Sequence, residues 1–189
     1  DEVVMSKLGV CYSDLDKPDL KNWKEFLYRY KNPDSTVHIG LVGKYVELKD
    51  SYKSISEALA HAGANLKNRV EIHWIHSEKV TPITSLEILG KLDGILVAPG
   101  FGSRGIDGKL EAIKFARLNE IPFFGICLGM QCAVIEFARN VLGLSEAHSS
   151  EIKQYTPDPV IDIMAEQKSV TNMGGTMRLG AYPCDLKEG

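Results

Sequence analysis

From residue 37 onward, short apolar runs alternate with longer stretches in which apolar residues recur every three or four positions. Val37 to Val42 reads as a strand ending at Gly43. Tyr52, Ile55, Leu59, Ala62 and Leu66 then share one helical face over 51–66. Val70 to Ile75 alternates as a second strand, and Leu86, Leu89 and Leu92 mark a short helix. The apolar run 94–98 predicts a buried strand, and Leu110, Ile113 and Arg117 give the spacing of a helix over 108–118. Pro122 to Ile126 is another buried strand, followed by a helix marked by Val134, Ile135, Ala138, Val141 and Leu142. This rhythm predicts an α/β fold: three layers, with a mainly parallel central sheet and helices on both faces. Past Leu144 the rhythm changes. Residues 160–164 and 175–181 look like strands without helices between them, which predicts a small antiparallel extension near the C-terminus.

The first 36 residues read differently. Leu20, Trp23, Phe26 and Tyr30 recur at helical spacing after Pro18-Asp19, and Asn32-Pro33-Asp34-Ser35 ends that helix. The chain therefore divides into a linker with an amphipathic docking helix (1–36) and the α/β domain (37–189). The helix docks either on the domain behind it or on a neighbour.

Composition narrows the function classes. Hydrophobic residues are 44% and charged residues 25%, which excludes disordered and fibrous chains. A net charge of −3 gives no basic footprint for nucleic acid and no polybasic membrane patch. No apolar run reaches a membrane span. The four cysteines, Cys11, Cys127, Cys132 and Cys184, include no C-x-x-C pair, so a cysteine zinc site is not expected and no metal ligand set is assigned. A reducing cytoplasm fits this usage.

Chemistry concentrates in loops that follow buried strands. Gly125-Ile126-Cys127-Leu128-Gly129 lies between a strand and a helix, the setting of a nucleophile elbow. Glycines on either side permit the sharp turn, and the helix amino end brings free N–H groups and a positive dipole to the thiol. The Leu128 amide could hold an oxyanion there. Alternatively, Cys127 is a small buried hydrophobe in a tight joint. The glycine-rich loop Ala98 to Gly105 lacks the Gly-Lys-Ser/Thr of a phosphate loop, and reads as a plain turn or as a second oxyanion donor. Arg178, amid glycines, is either a carboxylate ligand or a solvated edge residue. A cysteine nucleophile needs a base. His76-Ser77-Glu78 resembles a dyad but reads as a solvated loop, and His148 sits in a polar turn, so no histidine makes a convincing partner for Cys127.

Gly125 to Gln131 resembles the nucleophile motif of the class I (triad) glutamine amidotransferases. Gly40 to Tyr45, Asp50 to Ser54, Phe101 to Gly105 and Gly174 to Gly180 are similar, more narrowly, to the glutaminase domains of the CTP synthase family. The resemblance covers about 20–187. It implies that Cys127 attacks the side-chain amide of L-glutamine, forms a glutamyl thioester and releases ammonia. Backbone groups at Gly100 and Leu128 would form the oxyanion hole. The substrate would be bound along Gly100, Phe101, Leu128, Gly129, Met130 and Gln131, with Glu151 at its α-ammonium and Arg178 at its α-carboxylate. The glutaminase part itself takes no cofactor. Ammonia would pass to a synthetase domain absent from this chain, which uses ATP and Mg2+ to aminate UTP, in a cytoplasmic homotetramer of complete chains.

Two departures stand out. The loop reads Ala98-Pro99-Gly100-Phe101-Gly102 where the family commonly has Pro-Gly-Gly-Phe-Gly, so the oxyanion role transfers only to Gly100. The family's catalytic His and Glu belong to a late His-x-Glu motif that this chain does not reach, so the domain is expected to be C-terminally incomplete. Two other readings are a free-standing cysteine hydrolase of the same fold, with His76 or His148 as base, and a non-catalytic assembly module with a structural Cys127.

Overall fold

The computed structural model describes residues 2–9 and 19–164. A short helix α1 (Glu2–Lys7) lies within the stretch read as linker, and α2 spans Lys21–Lys31. The domain proper runs β1 (Ser35–Gly43), α3 (Lys53–Asn65), β2 (Asn68–His76), α4 (Ser85–Leu89), β3 (Gly94–Val97), α5 (Ile106–Leu118), β4 (Phe123–Gly125), α6 (Leu128–Asn140), β5 (His148–Ser149) and β6 (Pro159–Ile161). Among these residues no helix is long and apolar enough to cross a membrane.

β2, β1, β3 and β4 form one sheet in that order, and every neighbouring pair is parallel. Burial follows position. β3, with strands on both sides and helices above and below, is buried at each of its four residues. β2, at the edge, alternates between half-buried and exposed, the period of a strand with one face covered. One face of the sheet packs Leu41, Leu96, Ile72 and Trp74 against Tyr52, Ile55 and Leu59 of the α3 side. The other packs Val42, Ile95 and Val97 against Ile106, Ile113, Cys132 and Ile135 of α5 and α6. The third layer is tied together by charge as well as by apolar contact. Arg117 of α5 grips the buried Glu136 of α6 through Nε (3.1 and 3.2 Å) and Nη2 (2.8 Å).

Helix α2 docks on the domain behind it, with Phe26 edge-on to His61 of α3 at 5.2 Å. Asp19 starts it, accepting from the Lys21 N–H through Oδ1. Trp23 and Tyr30 remain more than half exposed.

The antiparallel extension is corrected in part. β5 and β6 pair in parallel, because the turns over 150–158 carry the chain back so that both strands run the same way. His148, expected to be exposed in a turn, is half-buried at the start of β5 and its Nδ1 accepts the Ser149 N–H (2.8 Å). The strand expected over 175–181 lies outside the described residues.

Candidate active site

β1 leads through α3 to β2 on one side, and the chain then returns to place β3 on the other side of β1. The carboxyl ends of β1 and β3 therefore flank the topological switch point, the usual place of a ligand crevice in open α/β sheets. The loops after β1, β3 and β4 supply its walls.

Cys127 stands where β4 ends. Its Ile126 neighbour donates to the Val97 carbonyl (3.1 Å), prolonging the ladder by one bond, and the chain then turns with Cys127 at φ 52° and ψ −111°. A non-glycine residue seldom adopts that backbone, and positions of this kind store about 1–3 kcal/mol. Cys127 caps α6: its carbonyl accepts the Gln131 N–H at 3.0 Å. Its side chain is exposed. Both flanking glycines are needed for close approach. A Cβ on Gly129 would lie 2.1 Å from the Val97 carbonyl oxygen, and one on Gly125 would lie 2.7 Å from the Gly129 and Met130 backbone. The joint is therefore tight, yet the thiol is not sealed within it. Leu128, the first residue of α6, carries an amide that has no acceptor within the helix.

The loop after β3 lies against this amino end. A Cβ on Gly100 would be 3.8 Å from Leu128 Cδ2 and 3.9 Å from Lys109 Nζ. Pro99 has no N–H, so the first amide donor after Ala98 is that of Gly100. Two buried lysines hold this loop from beneath. Lys109 Nζ donates to the Ala98 carbonyl (2.7 Å). Lys44, on the loop after β1, donates to the carbonyls of Phe101 and Gly102, the latter at 3.0 Å. In trans peptides this turns the following amides away from the lysine. Burial lowers the Lys109 pKa from 10.5 to about 8, and its ammonium interacts electrostatically with Cys132, Lys44 and Cys127. Burial, followed by the charge of Arg104, also lowers the Lys44 pKa. Arg104 itself sits 5.8 Å over the Tyr45 ring, a second tie between the two loops.

The two cysteines of the site region differ in kind. Cys132 is fully buried in the α5–α6 core, and desolvation pushes its thiol up to about 11. It is an inert packing group.

The structure thus brings Gly100, Leu128 and Cys127 to one place, with Gly129, Met130 and Gln131 on the first turn of α6. Met130 and Phe101 are exposed, and Gln131 is half-buried. Glu151 is exposed in the turn after β5, its N–H held by Ser149 Oγ at 3.2 Å. Arg178 lies outside the described residues. No histidine among the described residues hydrogen-bonds the thiol. His76 is not in a solvated loop as expected. Its side chain is 15% exposed and lies between Glu78 (3.5 Å) and Glu47 (3.9 Å). It lines a groove of about 360 Å³ with Val46, Trp74 and Lys79. Lys44 and Lys109 were not singled out by sequence. The signal for Lys109 was present, since it shares the apolar stripe of Ala112, Ile113 and Ala116 at helical spacing.

Similarity to known proteins shows the family. Residues 47–189 match the family model "Glutamine amidotransferase class-I". The chain is 61% identical over its whole length to CTP synthase of Cytophaga hutchinsonii, and 57% identical to that of Flavobacterium johnsoniae over 99% of its length. It spans only 35% and 34% of those relatives. Among solved structures it resembles the glutaminase domain of Trypanosoma brucei CTPS with bound acivicin. That match has a TM-score of 0.64 and 42% identity, over 68% of this chain and 50% of that one. A family match over residues 47–189 and 61% identity along the whole chain, on a parallel sheet flanked by helices, lead to one conclusion: the chain belongs to the class I glutamine amidotransferases.

Proposed function

We propose that this chain is the glutamine-hydrolysing part of a CTP synthase, with Cys127 as its nucleophile. The Cys127 Sγ attacks the carboxamide carbon of L-glutamine, and the carbonyl electrons move onto oxygen. The amides of Leu128 and Gly100 would hold that oxyanion. Collapse breaks the C–N bond, ammonia leaves with a proton supplied by a general acid, and water then cleaves the glutamyl thioester. Gln131, Glu151 and Arg178 are proposed to bind the amino-acid end of the substrate. The acid and base are assigned to a histidine of the longer protein. Both histidines considered within this chain are engaged elsewhere: His76 with Glu47 and Glu78, and His148 with the Ser149 amide. That also counts against the free-standing hydrolase.

ATP, Mg2+ and UTP are assigned to a synthetase portion of the longer protein. The glycine-rich loop does not fit a triphosphate, because the ammonium groups beneath it, Lys44 and Lys109, are bonded to the loop's own carbonyls. Ammonia released at Cys127 is proposed to be consumed there in the amination of UTP to CTP.

One observation carries the reading: an exposed cysteine at φ 52° capping a helix whose first residue packs beside Gly100. The test is trapping. Full-length protein incubated with a diazo-ketone analogue of glutamine should gain one adduct, located on Cys127 by peptide mass spectrometry. An unmodified Cys127, with glutamine-dependent activity intact, would reject the assignment.

A further inference from the structure

We infer that His38, Glu71 and His73 form a binding site for a divalent cation of the zinc class, on the amino half of the β1–β2 pair. Register creates the site. His38 of β1 pairs with Glu71 of β2, and His73 lies two residues further along β2, so the two β2 side chains share a face. The ligand atoms of all three lie within 4.8 Å of one another. His38 Nδ1 is 3.0 Å from His73 Nε2 and 3.6 Å from Glu71 Oε2.

These separations suit one shared ion. Zinc takes nitrogen and carboxylate oxygen at about 2.0–2.2 Å, so two ligands at a tetrahedral angle lie about 3.3 Å apart, and no pair can exceed about 4.2 Å. The two observed distances fall on either side of the tetrahedral value. Two imidazoles with one carboxylate suit zinc, cobalt, nickel or copper, whereas magnesium and calcium favour oxygen-only sets. The remaining coordination position is open to water, since Glu71 and His73 are exposed.

The frame is rigid where coordination needs it. The His38 N–H donates to Asp93 Oδ2 (2.7 Å), and the His38 carbonyl accepts the Asp93 N–H (2.8 Å), so both backbone groups of this ligand are fixed from the β3 side. His38 lies five residues before Gly43, roughly 16 Å of strand from the carboxyl end where the crevice opens. The site is thus separate from Cys127 and stands whether or not Cys127 is the nucleophile. A bound ion would clip the β2 edge to the sheet centre.

The experiment titrates zinc chloride into full-length protein with its thiols alkylated, by calorimetry, beside His73→Gln and His38→Gln. The native protein should bind one more ion than either variant, or bind the shared ion at least ~10-fold more tightly. Zinc should also raise the unfolding temperature of the native protein more than that of either variant. Identical isotherms for the three proteins, or no zinc-dependent shift in unfolding, would overturn the site. Glutamine hydrolysis by the unalkylated proteins without zinc serves as the folding control and should be unchanged in both variants, because neither histidine lies at the carboxyl end of the sheet where Cys127 stands.

Discussion

Replacing Lys109 by methionine separates two effects that the native side chain combines. Lys109 is fully buried, and its pKa falls from 10.5 to about 8 because its ammonium is desolvated. Below pH 8 the folded protein bears the full cost of that charge, up to about 3 kcal/mol for a shift of this size. The unfolded chain binds more protons than the folded one between pH 8 and 10.5, so this group makes stability rise with pH across that window. Methionine, of similar length and uncharged, removes the cost but leaves the Ala98 carbonyl without its 2.7 Å donor, a loss of about 1–3 kcal/mol. Lys109→Met should therefore match or exceed the native protein by up to about 2 kcal/mol at pH 7, and fall below it by about 1–3 kcal/mol at pH 10.5. Urea unfolding of both proteins at pH 7, 9 and 10.5 measures this, and other lysines cancel in the difference. Glutamine hydrolysis should fall between ~10- and ~100-fold in full-length protein, as the loop bearing Gly100 loses its anchor. A stability difference that does not change with pH would refute the buried-ammonium account, and unchanged hydrolysis would refute the anchoring role.

Further substitutions probe the elbow and the layer beneath it. Cys127→Gly should raise the unfolding free energy by about 1–2 kcal/mol, since glycine adopts φ 52° without strain, while abolishing analogue trapping. A loss of stability would show that Cys127 is not strained. Gly129→Ala drives a Cβ to 2.1 Å from the Val97 carbonyl oxygen and should cost about 2–3 kcal/mol, with trapping of Cys127 lost as the elbow shifts. Full stability in thermal unfolding would contradict that close approach. Arg117→Met leaves the buried Glu136 carboxylate without its forked partner and should cost about 3 kcal/mol in denaturant unfolding. Adding Glu136→Leu should recover most of that loss, and failure to recover would mean that Arg117 acts through its aliphatic stem.

The parallel sheet was legible because each inner strand is covered on both faces, which leaves apolar runs such as Gly94–Val97 with no polar interruption. The elbow was legible because its steric demands fall on glycines two positions either side of Cys127. Other features depend on contacts between segments far apart in sequence, and periodicity carries no trace of those. The apolar stripe of α5 marks Lys109 as inward-facing, but the Ala98 carbonyl that it binds is found only once α5 is placed over that loop. β5 and β6 are two and three residues long, too short for any alternation, and their parallel sense is set by the turns between them. The His38–Glu71–His73 cluster exists only through the β1–β2 register. Metal spacing rules built on neighbouring cysteines could not find it.

Lys44 has a mechanical consequence. It leaves the end of β1, yet its ammonium moors two consecutive carbonyls of a loop more than fifty residues away. A glycine-rich segment bounded by a proline would ordinarily be free to flap by itself. Here any swing of Phe101 must drag the β1 terminus with it or break a desolvated charge contact. The segment is tethered, so its freedom is set by the strand it is tied to and not by its own backbone.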